Sequence, residues 1–318
     1  MAKLRMGMIG TGVAARKLYL PALQRLGQQI EVVACTNRTR KKAEQYAKLA
    51  GIPKVVDSAE ELLALPEVEA VFISLPIDAQ PALVLQALRA GKPVASEKPV
   101  APSIAAGRKL IQTAARFSTP WLVAENYAFM PAIARLSSWV AAGRLGEIRL
   151  LEAYQLTFMQ TKNPYFKTAW RQQPKHVGGF IADAGVHLAH AVRRVLGMPK
   201  VVGNATAQFD PAILPIDTAI ALLQFPGGAL GTWTSCFSAH HRGPMLRVYG
   251  SKGTAELGGD TASLRSARGK ELVFKGSVEM FQAQFSHFRD VVKKGVPVAY
   301  GPEEALLDLS LIEAIVAV

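Results

Sequence analysis

One short segment constrains this chain more than any other: an apolar run at residues 4–9 that stops on Gly10-Thr11-Gly12 and resumes as a helix-patterned stretch. A first glycine permits a tight turn, and a second lets the backbone approach a pyrophosphate closely. The free N–H groups of the helix start, here Val13 and Ala14, then receive negative charge with the help of the helix dipole. Ala15 takes the third position of the fingerprint, which accepts alanine. Glycines are common in turns, so the motif gains its meaning from what surrounds it. Strand-like runs at 4–9, 31–36, 54–56, 70–75 and 93–96 alternate with helical spacing at 14–26, 40–49, 59–65 and 79–90. Asp57 or Ser58 is placed to cap the third of these helices, and Gly91 to end the fourth. Such alternation calls for a parallel sheet covered on both faces, a Rossmann dinucleotide-binding domain.

The grammar changes near residue 124. A helix at 103–117 and a strand at 121–125 are followed by a helix at 131–142. Then come strand-like segments at 147–158, 201–209, 218–225, 229–238, 245–250 and 254–258, joined by short links such as Pro226-Gly227-Gly228. A helix at 181–196 interrupts them, and helices at 279–294 and 302–316 close the chain. The expected architecture is therefore α/β joined to α+β. Residues 1–124 form the Rossmann domain. Residues 125–318 form a domain with a mixed, largely antiparallel sheet, for substrate binding and oligomerisation. A chain of 318 residues suits two such domains.

Composition removes several function classes. The 37 Lys+Arg against 24 Asp+Glu leave a net charge of +13, but the basic residues are dispersed, and the densest run is Arg38-Thr39-Arg40-Lys41-Lys42. A nucleic-acid reader gathers its charge on one face, so no nucleic-acid partner is expected. Part of the charge is available to an anionic cofactor. Two cysteines, Cys35 and Cys236, support neither a disulfide framework nor a cysteine zinc site, and no metal is expected. No apolar run is long enough to span a bilayer, and residues 6–9 are too short for a signal peptide, which points to the cytoplasm.

The end of the second strand distinguishes the two nicotinamide cofactors. An NAD-binding chain usually carries Asp or Glu there, bonded to the ribose 2′-hydroxyl. Here the stretch is Cys35-Thr36-Asn37-Arg38-Thr39-Arg40, with no carboxylate before Glu44. Thr36 and Asn37 offer hydrogen bonds and Arg38 can pair with a 2′-phosphate, so NADP(H) is favoured, with NAD(H) the alternative. Two further motifs carry chemistry. Glu97-Lys98-Pro99 follows the strand at 93–96, on the sheet edge where ligands gather. Asp183 and His187 lie four residues apart and so share a helix face; together they suit holding a hydroxyl and moving its proton while a hydride leaves the same carbon. Taken singly, Asp183 reads equally as a helix cap and His187 as a core histidine.

In this order the motifs resemble the Gfo/Idh/MocA family, the glucose-fructose oxidoreductase and inositol dehydrogenase group. The resemblance runs through Met6-Gly7-Met8-Ile9-Gly10-Thr11-Gly12, Ala90-Gly91-Lys92-Pro93-Val94 with Glu97-Lys98-Pro99, Gly143-Arg144-Leu145-Gly146-Glu147-Ile148, Trp170-Arg171 and Gly178-Gly179, to Asp183 and His187. It implies an oxidoreductase acting on sugars, polyols or cyclic ketones, and often a homodimer or homotetramer. Lys98 would orient the substrate, Asp183 bind its hydroxyl and His187 act as general acid/base. Trp170 and Arg171 would line the substrate side, while Leu75, Pro76, Glu97, Lys98 and Asn126 would face the cofactor. The chain departs from the family pattern twice. Leu75-Pro76-Ile77-Asp78-Ala79-Gln80 replaces Thr-Pro-Asn-x-x-His, and Asn126-Tyr127-Ala128-Phe129 lacks the usual arginine. These losses, with the aromatic-rich stretch 158–171, keep open a hydrophobic substrate such as an aromatic diol or a linear tetrapyrrole. A third reading is a non-catalytic NADP-binding regulator, which would have no use for Lys98 and His187. The last helix, at 309–318, is shorter than the family's, which suggests a short or trimmed C-terminus.

Overall fold

The computed structural model describes residues 3–240, 243–276 and 279–317. The chain divides into two compact units, Met1–Phe129 with Glu279–Leu306, and Met130–Val278 with Leu307–Val318.

In the first unit, β1 (Leu4–Ile9), β2 (Ile30–Thr36), β3 (Lys54–Val55), β4 (Ala70–Ile73), β5 (Val94–Glu97) and β6 (Trp121–Ala124) form one sheet in the order β3-β2-β1-β4-β5-β6. Every pairing is parallel. The order reverses at β1 and β4, the switch point at which open α/β sheets bind ligands. The helices are α1 (Leu20–Arg25), α2 (Arg40–Ala50), α3 (Ala59–Ala64), α4 (Gln80–Arg89) and α5 (Ile104–Ala114). Ser58, rather than Asp57, caps α3 through its hydroxyl to the Glu61 N–H at 3.0 Å. The helix expected from residue 14 to 26 is not regular. Residues Ala15–Tyr19 form a π-turn in which Leu20 N–H bonds to Ala15 C=O, five residues back. Pro21 explains it: the ring has no N–H to give and crowds the preceding turn, so the ladder widens just before it.

A single cut near residue 124 needs correction. The helix α9 (Met280–Lys294) belongs with the first unit, not the second. Phe285 and Phe288 are fully buried in the core that contains Met6, Met8 and Phe72. Tyr19 meets Phe72 edge-on at 4.7 Å and Phe285 at 5.8 Å between ring centroids. The apolar face of α9 is thus satisfied by the Rossmann sheet despite about 150 intervening residues, because burial depends on fit and not on chain order.

The second unit is built on an eight-stranded sheet. Its strands are β7 (Ile148–Leu156), β8 (Lys200–Ala207), β9 (Thr218–Gln224), β10 (Leu230–Cys236), β11 (Leu246–Gly250), β12 (Gly253–Gly258), β13 (Thr261–Ser266) and β14 (Glu271–Lys275), in the order β14-β13-β12-β11-β7-β10-β9-β8. All pairs are antiparallel except β7 with β10, which makes the sheet mixed. The helices α6 (Pro131–Ala141), α7 (Ala169–Gln172) and α8 (Phe180–Leu196) lie in this unit, and α10 (Pro302–Val316) crosses the division between the two. Alternate residues of β9 point one way into burial (Ala219, Ala221, Leu223) and the other way into solvent (Ile220, Leu222).

Candidate functional site

The register of the parallel sheet brings the expected cofactor residues to one edge. Ile9 pairs with Thr36 and with Ile73, Ile73 with Ser96, and Glu97 with Ala124. The carboxyl ends therefore present Gly10, Thr36, Leu75, Lys98 and Asn126 in adjacent positions. Gly10 has φ +97°, and a Cβ there would lie 2.2 Å from the Ser74 carbonyl oxygen. Only glycine lets β1 turn so close to β4. At Gly12 a Cβ would meet nothing within 4 Å, so the start of the helical segment opens onto space, as a phosphate cradle requires. Val13 and Ala14, partly buried, form that start.

Around this turn the loops are tied together. Asn37 Nδ2 donates to Thr11 Oγ1 at 2.9 Å, and its Oδ1 accepts from Thr39 N–H at 3.0 Å, which holds the loop after β2 beside the glycine turn. Thr36 is buried at the strand end. Arg38 is exposed and makes no ion pair among the described residues. Arg40, two residues on, is committed to Glu44 at 3.0 Å and to Asp57. Tyr19 donates its hydroxyl to the buried Glu97 carboxylate. Asn126 is buried and donates to Met280 Sδ at 3.6 Å. Pro76 follows the partly buried Leu75, and Gln80 opens α4 fully buried, with neither amide atom hydrogen-bonded among the described residues. Open space at Gly12 and an unneutralised guanidinium at Arg38 fit a phosphorylated dinucleotide.

The second unit carries the other expected group of residues. Gly178 and Gly179 turn the chain into α8, with Gly179 at φ +53° and ψ −125°, a conformation closed to other L-residues. His176 Nε2–H donates to the Gly179 carbonyl at 3.1 Å. Asp183 lies buried in the first turn of α8, where the helix dipole favours an anion, and His187 sits one turn further on the same face, partly buried. Arg171 Nε donates to Asp183 Oδ2 at 2.6 Å. The guanidinium carbon of Arg171 stands 3.9 Å from the Trp170 ring centroid. The structure thus brings Trp170, Arg171 and Asp183 together within this unit, with His187 on the same helix, while Lys98 belongs to the first unit.

Two family profiles match this chain. Residues 4–124 match the oxidoreductase family with an NAD-binding Rossmann fold, and residues 133–256 match the GFO/IDH/MocA C-terminal domain. The chain belongs to the Gfo/Idh/MocA family. A crystal structure of an oxidoreductase from Thermotoga maritima is 34% identical, with a TM-score of 0.93 over 99% of this chain and 96% of that one. An uncharacterized protein of Saccharomyces cerevisiae, YMR315W, is 31% identical over 99% of this chain and 95% of its own length. A bovine trans-1,2-dihydrobenzene-1,2-diol dehydrogenase is 28% identical over 92% and 89%. This Gfo/Idh/MocA protein is accordingly an NAD(P)-dependent oxidoreductase acting on hydroxyl or carbonyl groups.

Several contacts of this family member escape sequence inspection. The Asn37–Thr11 bond joins residues 26 apart, and Tyr19 reaches Glu97 across 78. Tyr19 stands between Leu18 and Leu20 in a stretch that also carries Arg16 and Lys17, so nothing local marks it as the partner of Glu97. Arg171 carried a signal only as part of a motif; that its partner is Asp183 follows from the turn at Gly178-Gly179. No group of three His, Cys, Asp or Glu side chains suited to a metal occurs among the described residues, and no helix there is long and apolar enough to cross a membrane.

Proposed function

We propose that the chain is an NADP(H)-dependent dehydrogenase or reductase that transfers hydride to or from the hydroxyl-bearing carbon of a sugar, polyol or cyclic ketone. The observation that carries the cofactor preference is Arg38, an exposed guanidinium without an ion-pair partner among the described residues, at a strand end that has no carboxylate. Gly10, Gly12, Val13 and Ala14 would hold the pyrophosphate. Thr36, Asn37 and Arg38 would hold the 2′-phosphate and ribose, and Leu75, Pro76, Glu97, Lys98 and Asn126 would bound the nicotinamide end. The bound nicotinamide supplies the hydride acceptor in oxidation and the donor in reduction. In oxidation, His187 takes the hydroxyl proton as the hydride leaves the carbon, and in reduction it returns that proton to the new alkoxide. Asp183 would accept a hydrogen bond from the neighbouring substrate hydroxyl, and Lys98 would orient the substrate. Trp170 and Arg171 complete the substrate side through Asp183.

Fluorescence titration with NADPH and NADH tests this reading. An exposed charge-assisted bond to phosphate is screened by salt, so Arg38→Ala is expected to weaken NADPH by about tenfold at low salt and NADH by less than about twofold. Arg40→Ala should do little to either, since its guanidinium is already engaged by Glu44 and Asp57. Tighter binding of NADH than NADPH to the wild-type protein refutes the cofactor reading.

A second substrate reading, an aromatic diol, draws on a specific feature: Tyr165 and Trp170 gather around Arg171 beside Asp183, and the bovine relative bears a dihydrodiol in its name. Oxidation of trans-1,2-dihydrobenzene-1,2-diol by NADP⁺, set against D-glucose and myo-inositol, decides between the two. Self-association as a homodimer or homotetramer also belongs to this proposal. The open face of the second unit's sheet supports it, since Ile220, Leu222 and Leu230 are about half exposed there. Light scattering that returns a monomer mass refutes it. The cytoplasm is the proposed compartment, supported by two free, buried thiols.

A further inference from the structure

Arg171 is held far more firmly than a residue that merely meets substrate requires. Its side chain and that of Asp183 are 13% and 9% exposed, and the two are joined at 2.6 Å through Nε and Oδ2. The guanidinium carbon lies 3.9 Å from the Trp170 ring centroid and 5.2 Å from that of Tyr165. Arg171 Nη1 donates to Thr168 Oγ1 at 3.3 Å. Thr168 Oγ1 donates in turn to the Tyr165 carbonyl at 2.7 Å, and Tyr165 N–H to Asn163 Oδ1 at 2.9 Å. The one-turn helix α7 brings Arg171 into place, with Arg171 N–H bonded to Thr168 C=O at 3.0 Å. A chain of local bonds from Asn163 to Arg171 thus ends on the carboxylate of Asp183, twelve residues away in sequence.

The physical consequence is specific. A carboxylate withdrawn from water has to be paired with a cation. A guanidinium stays charged at any working pH, and its planar fork imposes an orientation that an ammonium does not. The Trp170 ring, its centroid 3.9 Å from the guanidinium carbon, confines the guanidinium on one side, and the Nε–Oδ2 bond fixes where it meets Asp183. A carboxylate locked in this way is a hydrogen-bond acceptor only, which leaves proton exchange to His187.

We propose that Arg171 is a positioning residue that acts on substrate through Asp183, fixing its carboxylate as an oriented acceptor, with the Trp170 and Tyr165 rings holding the guanidinium. The proposal rests on the reading of Asp183 as the partner of the substrate hydroxyl, and the experiment separates the two. The first measurement needs no substrate. With ¹³C-labelled aspartate, the Asp183 carboxyl resonance is identified by its loss in Asp183→Asn and followed against pH. Its midpoint is expected to rise by about one pH unit or more in Arg171→Ala, and by less in Arg171→Lys, which keeps the charge without the fork. An unmoved midpoint in folded Arg171→Lys and Arg171→Ala overturns the proposal. If Arg171→Ala does not fold, the Lys variant alone decides it.

The second measurement is kcat/KM for oxidation of D-glucose and of trans-1,2-dihydrobenzene-1,2-diol by NADP⁺. Arg171→Ala should lower it by about tenfold to a hundredfold in the wild-type background, but by less than about twofold when added to Asp183→Asn. A loss that persists undiminished in Asp183→Asn means that Arg171 meets substrate independently, and overturns the positioning role alone. An Asp183→Asn variant as active as wild type overturns instead the reading of Asp183.

Discussion

The turn into α8 offers the sharpest test of how the second unit places Asp183 and His187. Replacing Gly179 by alanine introduces two separate penalties. At φ +53° and ψ −125° an L-residue is strained, at a cost of roughly 1–3 kcal/mol. Its Cβ would also stand 2.2 Å from the Leu214 carbonyl oxygen and 2.9 Å from Pro215 Cδ. An ordinary carbon–oxygen contact is about 3.3 Å or more, so the loop must retreat by roughly 1 Å. The obstacle is backbone and cannot swing aside, so overpacking adds roughly another 1–3 kcal/mol. Together the loss is about 4 kcal/mol, borne by the second unit. For a unit of this size each kcal/mol lowers the melting temperature by roughly 2–4 °C, which predicts a fall of about 8–16 °C. Scanning calorimetry measures it, and NADPH titration of the same sample provides the control. The glycine turn at Gly10 lies in the first unit, so NADPH affinity should stay within about twofold at temperatures where both proteins are folded. A Gly179→Ala variant that melts within about 2 °C of wild type would show that the turn does not need its glycine, and the account of how α8 is set would fall.

Three further outcomes follow from the geometry. Gly10→Ala, with a Cβ 2.2 Å from the Ser74 carbonyl at φ +97°, should weaken NADPH binding by about a hundredfold or more in the same fluorescence titration; binding within threefold of wild type contradicts the cradle. Asp217 is fully buried, and burial by itself would raise its pKa; the N–H groups of Asp210 and Phe209 and the hydroxyls of Thr218 and Ser238 outweigh this and hold it below the ordinary aspartate value of 3.8. A lowered native value contributes stability that is complete above the unfolded-state value and lost as pH falls through the native one. Asp217→Asn should therefore lower the urea midpoint at about pH 7, with the gap to wild type narrowing below about pH 3; a gap constant across that range excludes the ionised carboxylate as its source. Burial pushes the Cys35 thiol up to about 11, so iodoacetamide at about pH 8 should label it only after denaturation. Rapid labelling in the native protein would mean that this strand opens.

The sequence alone determined whatever is local in its physics. A strand that stops on Gly10-Thr11-Gly12 and passes into a helix has few other uses, and the parallel pairing that follows is imposed by the length of each crossover. The missing carboxylate after Thr36 is a fact of composition at one position. The four-residue spacing of Asp183 and His187 places them on one face of any helix that contains them. Short, half-exposed strands were harder to read: Thr261–Ser266 and Glu271–Lys275 alternate polar with modestly apolar residues, too weak a signal to separate strand from loop. Other features had no local cause at all. Only the tertiary structure returned α9 to the Rossmann core, because Phe285 and Phe288 are buried by Met6, Met8 and Phe72 and not by their sequence neighbours. Only it set β7 parallel to β10, joined Asn37 to Thr11 and Tyr19 to Glu97, and brought Arg171 onto Asp183. Periodicity reports which face of an element is apolar and which residues share it. What that face meets depends on shape and on the pairing of buried charge, which are properties of the whole fold.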